Sequence, residues 1–161
     1  MAFIPGAEYG SAKRWPGVKF AATAKAIEGR RYTHILLLGG PADQAIAEEI
    51  AATLEPGTFT NLTGRTTLRE LTVALAASSC VLTNDTGPMH LAAAVDVPVV
   101  ALFGSTSPEL TAPGLLGASK IRILRTPPPC APCFLRECPV DSRCLSNITV
   151  ESAVAAIEQT L

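Results

Sequence analysis

No stretch of this 161-residue chain approaches the roughly 18 consecutive apolar residues that a membrane-spanning helix needs, so a helical span is excluded. The start Met1-Ala2-Phe3-Ile4-Pro5-Gly6 lacks the charged and apolar regions of a secretory signal, which makes the cytoplasm the expected compartment. An excess of basic charge is missing too. With 13 Lys and Arg against 14 Asp and Glu, a net charge of −1 and a pI near 6.1, there is no general field for nucleic acid or an anionic membrane. Any anion site must be local. Charged residues make up only 17% of the chain and apolar ones 48%. With a mean hydropathy of +0.31, this describes one compact, rather hydrophobic domain, far from the disordered range.

A phosphate-binding P-loop is also missing. Residues 6–13, Gly6-Ala7-Glu8-Tyr9-Gly10-Ser11-Ala12-Lys13, have glycines and a lysine, but the glycine spacing is wrong and no Gly-Lys-Ser/Thr follows. What remains is a glycine-bearing loop with an ammonium group near its end, just before a helix that Pro16 opens and that runs to about Gly29. Such a loop can hold a phosphate. Equally, Lys13 and Arg14 fit solvated surface charges, with Trp15 as a core anchor.

The most informative stretch is Thr83-Asn84-Asp85-Thr86-Gly87-Pro88-Met89-His90-Leu91-Ala92-Ala93-Ala94. It follows apolar residues 80–82 and reads as strand end, tight turn and helix start, with Asp85 or Thr86 as N-cap and Gly87 and Pro88 in the first turn. The free N–H groups and dipole at a helix start attract an anion. His90 lies about one turn beyond Asp85, within reach of the same guest. A capped helix carrying a satisfied histidine fits the same residues.

The rest alternates strand and helix. Residues 2–4 form a short strand. Residues 34–38, ended by Gly39 and Gly40, and residues 97–103 are continuous apolar runs of the kind buried on both faces of a parallel sheet. Residues 58–63 and 120–124 are further strands. Helices are expected over residues 41–54, over 68–78 with Leu68, Leu71, Leu75 and Ala76 on the apolar side, and over 149–161 with Val150, Val154 and Ile157 on one face. Short connections imply a right-handed, doubly wound parallel α/β sheet, in which ligands lie beyond the carboxyl ends of the strands. Loops 6–13, 39–43, 64–67, 83–87 and 104–108 all fall on that edge. Asp43, just past one strand, suits the hydrogen bonds of a ribose diol, or simply the dipole of its own helix.

Residues 126–146 form a proline- and cysteine-rich loop holding four of the five cysteines. Cys130-x2-Cys133-x4-Cys138-x5-Cys144 offers four thiolates to a tetrahedral zinc ion, although its second pair is stretched relative to two Cys-x2–4-Cys knuckles. Free or paired thiols are the other readings, and a zinc-stabilised structural domain is therefore a rival function. Cys80 reads as a small core residue.

Together, residues 5–16, 83–94 and 102–108 (Leu102-Phe103-Gly104-Ser105-Thr106-Ser107-Pro108), with the cysteine loop Cys130-Ala131-Pro132-Cys133-Phe134-Leu135-Arg136-Glu137-Cys138-Pro139 and Cys144-Leu145, resemble the carboxyl-terminal domain of the ADP-heptose:lipopolysaccharide heptosyltransferases. The cysteine loop favours the second enzyme of that pathway over the first, and the resemblance covers nearly the whole chain. It implies a Rossmann-like half of a two-domain GT-B glycosyltransferase, with the ADP-heptose donor here and the lipopolysaccharide core acceptor on an amino-terminal domain that this chain lacks. It also implies inverting transfer, no cofactor, and peripheral contact with the inner face of the inner membrane. By motif, Lys13 matches a lysine on the donor phosphate. Asp85, Thr86 and Gly87 match the turn on the diphosphate and sugar, and His90 the histidine beside it. Asp43 matches the ribose residue and Thr66 the adenine-side position. No general base is assigned here. Replacing Lys13 is accordingly expected to weaken ADP binding with folding nearly intact. A stand-alone nucleotide-binding module, without transfer chemistry, is the remaining rival.

Overall fold

The computed structural model describes residues 1–28, 34–114 and 120–161. Among these residues six strands, β1 (Ala2–Ile4), β2 (Ile35–Leu37), β3 (Phe59–Asn61), β4 (Val81–Asn84), β5 (Val99–Phe103) and β6 (Ile121–Arg125), form one sheet in the order β3-β2-β1-β4-β5-β6. Every pairing is parallel. This is the doubly wound order of dinucleotide-binding folds, and its strand order reverses between β1 and β4, where such sheets open a crevice.

The sequence explains why the sheet is covered twice. Along β5, Val100 and Leu102 enter one cluster and Val99, Ala101 and Phe103 the other; along β1, Phe3 goes one way and Ile4 the other. With neither face in water, both registers of the two-residue period are apolar. Helices α1 (Gly17–Ile27), α2 (Gln44–Ala51) and α7 (Val150–Thr160) cover the first face with Phe20, Ile27, Ile50 and Ile157. Helices α3 (Leu68–Ala76) and α4 (Gly87–Ala94) cover the second with Leu75, Met89 and Ala92. The short helical segments α5 (Pro108–Thr111) and α6 (Arg143–Ser146) follow β5 and close the cysteine loop.

Several elements are shorter than the sequence suggests: β2 covers Ile35–Leu37 of the run 34–38 and β5 covers Val99–Phe103 of the run 97–103. Helix α1 opens after Pro16 as expected and is capped at Glu28; Gly29, its expected end, lies outside the described residues. The helix expected from residue 41 begins as a 3-10 turn, Pro41–Asp43. In α3, Leu68 is not on the apolar side but 68% exposed. It is the first helical residue, just past a reciprocal cap in which Thr67 and Glu70 bond each other's backbone N–H, and that cap, rather than apolar spacing, fixes where the helix starts.

Candidate functional site

The loops that follow β1 and β4 meet at the reversal point. Asn84, fully buried, ties them together: its Oδ1 accepts the Trp15 N–H at 3.0 Å and its amide donates to the Pro5 carbonyl at 2.8 Å. Trp15 is the core anchor, with its indole N–H on the Ile148 carbonyl at 3.1 Å and its ring edge-on to Phe20.

Lys13 and Asp85 then face each other. Lys13 Nζ donates to Asp85 Oδ2 at 2.6 Å, and the residues are 9% and 4% exposed, so the surface-charge reading of Lys13 is corrected. Thr106 and Thr111 donate to the same Oδ2 at 2.5 and 3.1 Å. Among the described residues no donor reaches Oδ1. Asp85 therefore does not cap α4. Thr86 holds that position with extended backbone and no side-chain hydrogen bond, which leaves the first N–H groups of α4 to an incoming anion. The buried pair also changes the expectation for Lys13→Ala. Removing one partner strands the other charge in the interior, so folding will not be left nearly intact.

Lys13, Asp85, Thr86, Gly87 and His90 line one open cavity of about 490 Å³, together with Glu8, Tyr9, Thr111 and Arg136. Five of the seven residues singled out by sequence thus converge. Asp43 and Thr66 do not line it. Thr66 lies half-buried just ahead of α3. Asp43 lies past β2, where its Oδ2 accepts the Gly40 N–H at 3.0 Å and Arg14 approaches Oδ1 at 3.6 Å. Its carboxyl fits against the β1 loop only because residue 6 is glycine, since a Cβ there would sit 2.0 Å from Asp43 Cγ.

Sequence reasoning gave no role to Tyr9, Thr106, Thr111 or Arg136. Tyr9 and Thr106 stand inside the motif stretches, and Arg136 inside the cysteine loop, so the signal was present; their partners, set by tertiary contacts, were not.

The cysteine loop packs beside this cavity. The Ala12 N–H donates to the Arg136 carbonyl at 3.0 Å and the Phe134 N–H to the Ser105 carbonyl at 2.7 Å. Its four cysteines line a second, mainly apolar cavity of about 350 Å³ with Ser105, Asp141 and Arg143. All are free thiols, and among the described residues no three His, Cys, Asp or Glu side chains are grouped so as to hold a metal ion. Backbone N–H groups of Val140 and Ser142 lower the pKa of the Cys138 thiol, whereas burial raises that of Cys144. Among the described residues no helix is long and apolar enough to cross a membrane.

The family model for glycosyltransferase family 9 (heptosyltransferase) matches residues 1–143. Lipopolysaccharide heptosyltransferase 2 of Salmonella typhimurium is 40% identical over 127 residues, covering 77% of this chain and 36% of the relative. Lipooligosaccharide heptosyltransferase 2 of Haemophilus influenzae is 42% identical over the same length, again 77% and 36%. The solved structure of E. coli ADP-heptose lps heptosyltransferase II superposes with a TM-score of 0.81 at 34% identity, covering 99% of this chain and 45% of that one. The chain therefore spans less than half the length of these relatives.

Proposed function

The chain belongs to glycosyltransferase family 9, the heptosyltransferases, and from that premise we propose that it is the donor-binding half of a heptosyltransferase. In this reading it holds ADP-heptose for inverting transfer of the heptose to the inner core of lipopolysaccharide. The acceptor and the general base belong to an amino-terminal domain beyond these 161 residues, and the work is done on the cytoplasmic side of the inner membrane, where the lipid acceptor invites peripheral contact.

The observation that carries this reading is the meeting of Lys13, Asp85 and the free amino end of α4 around one open cavity at the sheet's reversal point. When the glycosidic bond to the diphosphate breaks, the leaving ADP gains negative charge. An ammonium group and helix-end N–H groups already in place stabilise that charge more than they stabilise the ground state. Asp85 orients the ammonium through Oδ2 and keeps Oδ1 for a sugar hydroxyl. With Oδ2 held by the Lys13 ammonium and the Thr106 hydroxyl, Asp85 serves to bind and orient. Asp43, seated against the β1 loop, accepts the ribose diol; Thr66 serves the adenine side and His90 the rim of the phosphate site.

Transfer also needs an acceptor oxygen held about 3 to 3.5 Å from the anomeric carbon and a base for its proton, neither of which this half supplies. ADP-heptose and a heptose-primed lipid acceptor, incubated with this chain and in parallel with the full-length E. coli enzyme, should give transfer only with the latter. Comparable rates from the two would place the catalytic apparatus within these 161 residues.

A further inference from the structure

Deepening the donor reading and resting on it, we infer that Arg136, carried by the four-cysteine loop, is the second cation of the site and contacts the diphosphate of the nucleotide sugar. The need for a second cation follows from the buried pair. Lys13 is held at 2.6 Å from Asp85, so the two together are neutral, and a diphosphate arriving beside them meets no net positive charge from that unit. Of the described residues lining the cavity, Arg136 is the one other Lys or Arg. Among the described residues it forms no ion pair with a carboxylate.

Its position is built. Residue 10 is glycine at φ +155°, and a Cβ there would lie 2.2 Å from the Arg136 carbonyl oxygen; with a side chain at that position the cysteine loop could not approach this closely. The Ala12 N–H then fixes that carbonyl at 3.0 Å. Arg136 Nε donates to the Tyr9 carbonyl at 2.7 Å, and the Tyr9 hydroxyl donates back to the loop at the Phe134 carbonyl, 2.6 Å away. The guanidinium carbon stands 5.5 Å from the Tyr9 ring centre and Lys13 Nζ 4.8 Å from it. One ring thus carries both cations of the cavity. With Nε engaged, the terminal N–H groups of the fork remain for phosphate oxygens, a geometry for which a guanidinium is suited and an ammonium is not.

The test is calorimetric titration with ADP, and titration with adenosine followed by NMR, of the chain as wild type, Arg136→Ala, Arg136→Gln and Arg136→Lys, with a thermal melt of each. Gln retains a donor for the Tyr9 carbonyl but carries no charge. The expected result is about tenfold or greater loss of ADP affinity in Arg136→Ala and Arg136→Gln, partial recovery in Arg136→Lys, and unchanged adenosine affinity throughout. Wild-type ADP affinity in Arg136→Gln would reduce Arg136 to a clasp on the β1 loop and overturn the assignment. So would a parallel loss of adenosine affinity, which reports collapse of the loop. If the wild type binds no ADP, the donor reading fails and this assignment with it.

Discussion

Two carboxylates stand just past the carboxyl ends of strands in this sheet, Asp85 after β4 and Asp43 after β2, and their surroundings are opposite. Asp85 sits at the central reversal point, 4% exposed, with an ammonium and two hydroxyls on one oxygen. Asp43 sits nearer the sheet's edge, half-buried, with one backbone N–H and a guanidinium at 3.6 Å. The same side chain at the same kind of place therefore does two jobs. At the centre it is part of the interior and fixes a cation; towards the edge it ends a turn and, in the proposed reading, takes the ribose. Position in the strand order, rather than residue type, decides which.

The largest effect should come from Asp85→Ala, which leaves Lys13 buried without its partner and frees two threonine hydroxyls. Urea unfolding should show a loss of about 3 to 5 kcal/mol, and a loss below about 1 kcal/mol would mean that the central carboxylate is no more structural than the outer one. Next comes Lys13→Ala. Calorimetry should find ADP binding weaker by about 1 to 3 kcal/mol, the range for a hydrogen bond to a charged group, accompanied by lowered stability from the stranded Asp85; unchanged affinity would remove Lys13 from the ligand.

Asp43→Ala sharpens the contrast from the other side. Stability should fall by about 1 kcal/mol or less, because the guanidinium of Arg14 stands 3.6 Å away and is itself partly exposed, while the preference for ADP over 2′-deoxy-ADP should disappear. Retention of that preference would leave Asp43 as a turn residue only.

These contrasts were partly legible in the sequence. Strand β5 and the turn at residues 85–87 could be read directly, because a strand buried on both faces reads as a continuous apolar run, as Val99–Phe103 does, and a helix start has its own vocabulary of Thr, Gly and Pro. The Lys13–Asp85 pair could not, since the partners lie 72 residues apart and meet only once the strand order is known. Arg136 and Tyr9, 127 residues apart, are a more extreme case: each stood in a noticed stretch, yet nothing local says that they touch. Leu68 failed for the opposite reason, a local apolar period overruled by a local cap.

The smallest effects concern the thiols. Cys80, its pKa pushed up to about 12 by burial, should stay unmodified by iodoacetamide near pH 8 in the native protein, because only the thiolate reacts. Cys138, whose lowered pKa puts more of it in the thiolate form at a given pH, should be alkylated well before it, and mass mapping of labelled peptides reads the order. Titration in denaturant should count five thiols if none is paired. Protein purified without chelator, assayed for zinc and melted before and after stripping, tests the zinc reading directly: bound metal with a lowered melting temperature on its removal would support that reading, and a full thiol count with no metal would end it.

The central claim is that the crevice between β1 and β4 holds the donor's adenosine diphosphate. Calorimetric titration of the wild-type chain with ADP, UDP and GDP under identical buffer and salt tests it most directly. The account predicts saturable binding of one ADP per chain, with UDP and GDP weaker; no measurable binding of ADP, or equal affinity for all three nucleotides, would contradict it.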